Sequence, residues 1–473
     1  MMSERPNVLW ICTDQQRFDT ITVLGNPHIR TPNIDKLVSE GVTFTRAYSQ
    51  SPVCTPSRAA FLTGRYPRTA RCRQNGAQIP PDEILVTRLL AEDGYDCGLS
   101  GKLHLGPCQG RVEKRINDGY RVFHWSHHPA PDWSENEYIQ WLESKGQNWD
   151  KLYHRKPGEP AWAGVPAEFH QTTWCAEKAT EFLSEERSGP WLMSFNCFDP
   201  HHPFDPPAEY LERYDPDDVP APSYRPGELD NKTEFQRVDH QGAYGGRGMS
   251  FAKLTEYQRR QVVAAYYAMI ELIDDQVGRM LQALDDTGQR ENTLVIFTSD
   301  HGEMLGDHGI LLKGPYFYEC AVRVPLILRW PEHFPAGLRS DALVELMDLA
   351  PTVLEACGLP ALDRMQARSL LPICTGQSDP GEHRDQVYCE YYNAMPGHDH
   401  LAHGTMLFDG RYKIAVYHGR DEGELYDLES DPSEFDNLWY NPEYADLKFD
   451  LMKRCFDISI FTMDPYPPRE AVF

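Results

Sequence analysis

Long hydrophobic runs are missing from this chain of 473 residues. No stretch approaches the roughly 20 consecutive apolar residues that a membrane-spanning helix needs, so no such span is expected. The first apolar run, Val8 to Cys12, lacks a cationic start and a small-residue cleavage site, and it meets Asp14 almost at once. Such a segment does not read as a secretory signal, and a cytoplasmic location is the expectation. Positive charge is scarce as well: 46 Lys and Arg stand against 71 Asp and Glu, a formal charge of −25. A field of that sign repels polyanions and argues against a nucleic-acid partner. An anionic substrate would need a local cluster of cations and a metal to overcome it. The 12 cysteines include no CxxC pair and no dense cluster, so free buried thiols are the ordinary reading for all but Cys54. No internal repeat is visible.

What is present is apolar material, 41% of residues, sufficient for a sizeable core. At roughly 100–200 residues per domain, the length suggests two or more units, or one large domain with a smaller appendage. Three runs, Asn7 to Thr13, Trp191 to Asn196 and Thr293 to Ser299, are continuous, apolar and of strand length, the pattern of strands covered on both faces of an α/β sheet. Each ends in polar residues: Asp14, then Asp199-Pro200-His201-His202, then Asp300-His301. Ligands gather outside the carboxyl ends of such strands, so these polar residues mark the expected site. Thr255 to Asp285 reads as a long amphipathic helix opened by a Thr255/Gln258 capping box. Residues 341–357 read as a second helical segment, interrupted by Pro351.

From about Gln386 the pattern changes to short strands joined by turns, with Asp409-Gly410 as a hairpin signal. A catalytic unit at 1–385 and a C-terminal subdomain at 386–473 are therefore expected, the latter a small antiparallel sheet with a helix at about 446–456. The Pro- and aromatic-rich tail, MDPYPPREAVF, reads as a segment lying across a neighbouring surface, compatible with a homo-oligomer. Stretches 127–170 and 200–250 read as long loop insertions.

One motif stands above these patterns. Residues 54–65 run Cys-Thr-Pro-Ser-Arg-Ala-Ala-Phe-Leu-Thr-Gly-Arg. This resembles the signature of the formylglycine-dependent sulfatase family, C-x-P-S-R followed by T-G-R, at every fixed position. A buried thiol is the ordinary reading of a lone cysteine but does not predict Pro56 and Arg58 at their offsets. The resemblance implies a large, mostly parallel α/β sheet flanked by helices, of the alkaline phosphatase type. It also implies a maturation enzyme that oxidises Cys54 to formylglycine. One oxygen of the hydrated aldehyde would attack sulfur, and the other would lose its proton to expel sulfate, an exit that a plain serine lacks.

By the same resemblance Asp14, Gln15, Asp300 and His301 hold one divalent cation together with the oxygen at position 54, with Ca²⁺ the first expectation and Mn²⁺ the alternative. Most sulfatases carry Asp and Asn at the places of Gln15 and His301. Those two residues look more like the phosphonate monoester hydrolases of the same superfamily. Gly101-Lys102-Leu103-His104 resembles the sulfatase G-K-x-H element, where phosphonate hydrolases usually carry Tyr and Thr. Lys102 would bridge nucleophile and sulfate, and His104 would take the proton in the second half-reaction. His201 is the expected contact to the leaving-group oxygen, Lys313 binds sulfate and leaving group, Arg58 holds the formylglycine, and Asn75 adds a donor to the sulfate.

His308 reads instead as a loop histidine bonding neighbouring backbone, and His127, His128 and His240 read as surface-loop residues first, with a place in the lining of a substrate pocket as the alternative. The function expected is hydrolysis of a small aryl or alkyl sulfate ester. Phosphonate monoester or phosphodiester hydrolysis is the alternative, then choline sulfate hydrolysis, and last a non-catalytic binding protein.

Overall fold

Residues 5–129, 133–398, 402–467 and 471 are described in a computed structural model of the chain. The main sheet comprises β1 (Asn7–Thr13), β2 (Val42–Tyr48), β3 (Asp96–Gly101), β4 (Val122–Trp125), β5 (Trp191–Asn196), β6 (Thr293–Ser299), β7 (Arg323–Val324), β8 (Leu326–Arg329) and β9 (Leu338–Glu345). Its order is β4-β3-β5-β1-β6-β8-β2-β7, with β9 also paired to β2. From β4 through β6 all neighbours are parallel, which puts their carboxyl ends on one edge. Strands β7 and β8 run antiparallel to β2.

The three continuous apolar runs are β1, β5 and β6, and every residue of each is buried. Alternation along β1 shows why no polar face exists. Val8, Trp10 and Cys12 pack into a core with the helix Cys54–Thr63 and the helix Leu349–Ala356, whereas Leu9 and Ile11 face the opposite core, shared with the helices Gln171–Leu183 and Glu256–Asp286. Each Val, Leu, Ile or Phe fully buried this way contributes roughly 1.5–3 kcal/mol.

Thr255 caps the long helix Glu256–Asp286 by accepting from Gln258 N, and the Gln258 side chain returns the bond to the Thr255 backbone. The segment 341–357 is a correction. Its first part is the end of β9, a single turn follows at Leu346–Asp348, and the helix begins only at Leu349. Pro351 lies in the first turn of that helix, where an amide N–H has no intrahelical partner, so it interrupts nothing. The stretches read as loop insertions also contain helices, including Glu137–Ser144, Trp149–Leu152 and Glu234–Gln241. The first two are capped by Asn136 and Asn148, whose side chains accept from the backbone amides two residues on.

A separate four-stranded antiparallel sheet follows, in the order β10 (Val387–Tyr392), β11 (His403–Phe408), β12 (Tyr412–Tyr417) and β13 (Gly423–Asp427). The Asp409-Gly410 turn joins β11 to β12, and the C-terminal helix runs over Ala445–Phe461, longer than the expected span. Of the tail, residues 468–470 and 472–473 lie outside the described residues; Asp464 pairs with buried Arg65 at 2.7 Å. All twelve cysteines are free and buried. Among the described residues no helix is long and apolar enough to cross a membrane.

Candidate active site

Four parallel strands deliver the site. β1 and β6 pair in register to Thr13 opposite Ser299, so the residues that follow, Asp14 and Asp300, emerge side by side. β3 and β5 pair to Gly101 opposite Asn196, which brings Lys102 and the 199–202 loop to the same edge. Gly101 has φ +101°, and a Cβ there would fall on the Asn196 carbonyl oxygen, so only glycine closes this strand end. Gln15 and His104, at φ 72° and 59°, are held in the sparsely populated left-handed region, which concentrates at functional sites.

Cys54 enters from the opposite side as the first residue of the helix Cys54–Thr63, all ten residues of which are buried. Ser57 Oγ donates to the Asp300 carbonyl at 2.5 Å and pins this helix end to the β6 end. Around Cys54 Sγ lie Lys313 Nζ at 3.0 Å, His301 Nε2 at 3.1 Å and Asp14 Oδ1 at 3.5 Å. Arg58, one helical turn on, donates from Nε to Asp300 Oδ2 at 2.9 Å and from a terminal nitrogen to the Lys102 carbonyl at the same distance. Lys102 Nζ donates to Asp14 Oδ2, and Lys313 Nζ to Gln15 Oε1 at 2.6 Å. Asn75 is committed to the helix start: its Oδ1 accepts from Thr55 N at 3.0 Å while Nδ2 faces Met395 Sδ.

The charge balance follows from this packing. Burial alone would raise the Asp14 carboxyl, but Lys102, His201, Lys313 and Arg58 outweigh it and hold the group well below the ordinary carboxylate range. Burial and Asp14 push the Cys54 thiol up, yet Lys102, Lys313 and His301 bring it below its ordinary value. Lys102 stays cationic: burial lowers it, and Asp14 and Cys54 more than restore it. His104 goes the other way, driven far down by burial and then by Lys102 and Arg58, so its ring is neutral at rest. His201 is lowered by burial, Lys313 and His202.

Asp14, Cys54, Asp300 and His301 each place a ligand atom within 4.8 Å of the others, all four buried. His301 Nδ1 donates to the Gly302 carbonyl at 2.8 Å, which fixes the ring with Nε2 facing the cluster. Gln15 completes the oxygen set, and the reason it points inward lies in Glu303, a residue given no role by the sequence reading. Glu303 Oε2 accepts from Gln15 Nε2, while Oε1 accepts from Leu305 N at 2.8 Å and Leu312 N at 2.5 Å. A fully buried carboxylate on the amide nitrogen turns the Gln15 carbonyl oxygen toward the site. The only trace of this in the sequence is the position of Glu303 two residues past His301.

The mouth of the site corrects the reading of the other histidines. His127 is not a surface-loop residue: its ring meets His104 edge-on at 4.5 Å. His128 stacks on Trp133 at 4.5 Å, and both histidines pack against Phe198, which also lies under Lys102 Nζ at 5.5 Å. His201 stacks on His202 at 4.1 Å and donates from Nδ1 to the His202 carbonyl at 2.7 Å. Nothing in residue order marks this wall, because it forms only when the loop after β4 folds against the loop after β5. His240 is half-buried and bonds the Gly309 carbonyl at 2.7 Å. His308 is structural, as expected, but it pairs with the Glu228 carboxylate at 3.1 Å and stacks on Tyr318 at 3.8 Å.

Comparison with known proteins agrees with this architecture. The sulfatase family profile matches residues 6–359, and the C-terminal profile of N-sulphoglucosamine sulphohydrolase matches residues 306–459. An arylsulfatase of Clostridium perfringens is 29% identical over 470 residues, covering 95% of this chain and 93% of its own length. A multifunctional alkaline phosphatase superfamily protein of Trinickia caryophylli is 31% identical over 495 residues, covering 95% and 94%. Among solved structures, the phosphonate monoester hydrolase of Agrobacterium radiobacter superimposes with a TM-score of 0.84 at 27% identity, covering 98% of this chain and 97% of that one. Sulfatases generally use a divalent metal and a formylglycine, and the buried donor set beside Cys54 is suited to such an ion. With full-length relatives and a family match that spans the whole main sheet, the chain belongs to the sulfatase family, enzymes of the alkaline phosphatase superfamily that hydrolyse sulfate esters.

Proposed function

We propose that this enzyme hydrolyses small aryl or alkyl sulfate monoesters at an oxygen nucleophile made by oxidation of Cys54 to formylglycine. The observation that carries the reading is the convergence of Lys102, Lys313 and Arg58 with Asp14, Asp300 and His301 around one buried cysteine at a helix start. That convergence supplies what the acidic surface denies an anion: a local excess of positive charge in a dry site.

Asp14, Gln15, Asp300 and His301 would hold a divalent cation beside residue 54, Ca²⁺ ahead of Mn²⁺ because three of these four donors are hard oxygens. Such an ion supplies a lowered pKa for a neighbouring hydroxyl and a fixed charge opposite the sulfate oxygens. Arg58 braces Asp300 and the Lys102 backbone, so both ligand and cation keep their places. Lys102 and Lys313 hold the sulfate oxygens. Because His201 spends its Nδ1–H on the His202 carbonyl, the neutral ring carries a lone pair at Nε2. It donates to the leaving oxygen only when protonated, a state that the negative charge of a bound ester favours. Neutral His104 accepts the proton released when sulfate departs. The aromatic wall of His127, Phe198 and Trp133 stands beside His104 and would limit the access of water to that ring.

A second reading, hydrolysis of phosphonate monoesters or phosphodiesters with the same nucleophile, is favoured by the Gln15 and His301 pair and by the 0.84 TM-score to the phosphonate hydrolase. Lys102 and His104 oppose it. Parallel assays of an aryl sulfate and an aryl phosphonate monoester decide: kcat/KM is expected to be higher for the sulfate, and a large preference for the phosphonate overturns the first reading.

Glu303→Gln is expected to weaken metal binding by about 10–100-fold, the range for a lost outer-shell partner. The amide nitrogen introduced by this substitution would meet the Gln15 amide nitrogen donor to donor, and relief comes from turning the Gln15 carbonyl away from the site. Calorimetric titration of the metal-stripped variant with Ca²⁺ and Mn²⁺ measures this directly, and affinities equal to those of the parent would show that Glu303 does not orient Gln15.

A further inference from the structure

Beside the carboxylate cluster, and sharing no residue with it, stands a second group of ligand atoms. His104, Cys108 and His127 each place one ligand atom within 4.8 Å of the other two. The chain brings them together through two neighbouring strands: β3 and β4 pair to Gly101 opposite Trp125, and His104 and His127 follow these ends by three and two residues. Cys108 lies four residues past His104 and belongs to a small buried cluster with Trp125 and Trp133.

Two features set this trio apart from an ordinary packed cluster. His104 is 5% exposed and Cys108 7%, yet the Nδ1 of His104 and both ring nitrogens of His127 are buried without a hydrogen-bond partner. Buried imidazole nitrogens are normally satisfied, and three orphans around one thiol are a costly arrangement unless something occupies the space between them. The donor chemistry is also distinct. A thiol and two imidazoles suit a soft or borderline cation, whereas Asp14, Gln15, Asp300 and His301 suit a hard one.

We propose that His104, Cys108 and His127 form a second, inhibitory metal site for a borderline divalent cation such as Zn²⁺. On binding, the Cys108 S–H bond breaks, sulfur keeps the electron pair to bond the metal, and the proton passes to solvent. The two imidazoles bind as neutral rings through their lone pairs. The site gains one net positive charge, which Glu113 opposes from beside it: this buried carboxylate accepts from His104 N at 2.8 Å, Leu105 N at 2.6 Å and Trp125 Nε1 at 3.0 Å. Because zinc displaces the Cys108 proton, occupancy rises with pH. Inhibition rests on the proposed role of His104, since a cation on that ring opposes its taking a proton; the binding itself does not.

Co²⁺ titration of full-length Cys54→Ser, with and without Cys108→Ser added, tests the site, because the Cys54 thiol in the carboxylate cluster could itself supply a thiolate. A thiolate-to-cobalt charge-transfer band is expected in Cys54→Ser, and its absence once Cys108→Ser is added. Zn²⁺ affinity of Cys108→Ser is expected to fall at least about 100-fold, since losing a ligand costs no less than losing an outer-shell partner. His127→Asn, a loop substitution, should also lose the band, which guards against a fold defect in the cysteine variant. Stoichiometric Zn²⁺ is expected to slow parent turnover by about 10²-fold, the lower range for a blocked proton-transfer group. It should leave Cys108→Ser unaffected, and the zinc-free rate of that variant is expected to match the parent. A band that is missing from Cys54→Ser, or that persists when Cys108→Ser is added to it, overturns the site. A Cys108-dependent band with undiminished turnover overturns the inhibition. A protein inactive on every ester would sink the hydrolase reading while leaving the cobalt result standing on its own.

Discussion

Cys54→Ala is expected to reduce turnover of an aryl sulfate by at least about 10⁴-fold, the scale on which loss of a covalent nucleophile is felt. The remaining cations would still bind the ester, so KM is expected to change far less than kcat. Nothing nearby can replace residue 54. Apart from Lys313, whose ammonium is paired with Gln15, the groups closest to Sγ are His301 and Asp14, the proposed metal ligands. Cys54→Ser gives a sharper result, because a serine hydroxyl can attack sulfur but carries no second hydroxyl through which to expel sulfate. One turnover followed by a stall is therefore expected, with the sulfate retained on the peptide. Mass spectrometry of the tryptic peptide containing residue 54 reads both outcomes. In parent protein made with the maturation enzyme the same peptide is expected to carry formylglycine. Unmodified cysteine in active parent protein, or Cys54→Ala turning over near the parental rate, would remove the nucleophile from residue 54.

How much of this was legible in the sequence differs from one element to the next. β1, β5 and β6 could be read to the residue, because a strand buried on both faces is mostly continuous apolar and β-branched sequence and polar residues, Asp14, Asp199 and Asp300, follow its end. The capping box of Glu256–Asp286 was equally local, set by Thr255 and Gln258 alone. Residues 341–357 misled because β9 and the helix after it are both apolar and adjoin with one turn between them. An apolar run of that kind has no single period, and the strand is fixed by its partner β2, far away in sequence. The candidate site was legible wherever a residue sits within a motif, as Cys54, Lys102 and Asp300 do. It was not legible where the role is to touch another side chain. Glu303 acts on Gln15 across 288 residues and is marked only by its place near His301, and His127 reaches His104 through the packing of two loops and has no mark at all.

Asp14→Asn is the other substitution expected to have a large effect, and it acts on stability and chemistry together. Asp14 is fully buried and meets Lys102 Nζ, with Arg58 at 3.8 Å and His301 Nε2 at 3.9 Å. Asparagine keeps the volume and removes the charge, which leaves Lys102 buried without a carboxylate. Breaking a buried pair from one side costs about 3–5 kcal/mol, because the partner's lost hydration is no longer offset. Arg58 is cushioned, since Asp300 still binds it at 2.9 Å. The pH dependence has a definite sign. The Asp14 carboxyl is held well below its ordinary value of 3.8 in the folded chain, so it binds fewer protons folded than unfolded. Its contribution is complete above 3.8 and is lost as pH falls from there through the depressed folded value, whereas the asparagine variant lacks that component. Denaturant unfolding of metal-stripped protein at pH 7 and at acid pH should show a stability gap between parent and variant that narrows on acidification. The same substitution deletes one proposed metal ligand and the anchor of Lys102, and kcat/KM is expected to fall by at least about 10²–10³-fold, the cost of losing one charge-stabilising group. Added metal should not restore the rate. Equal stability at pH 7 together with parental kcat/KM would show that Asp14 neither holds Lys102 nor serves the metal, and the charge cluster around Cys54 would need another organiser.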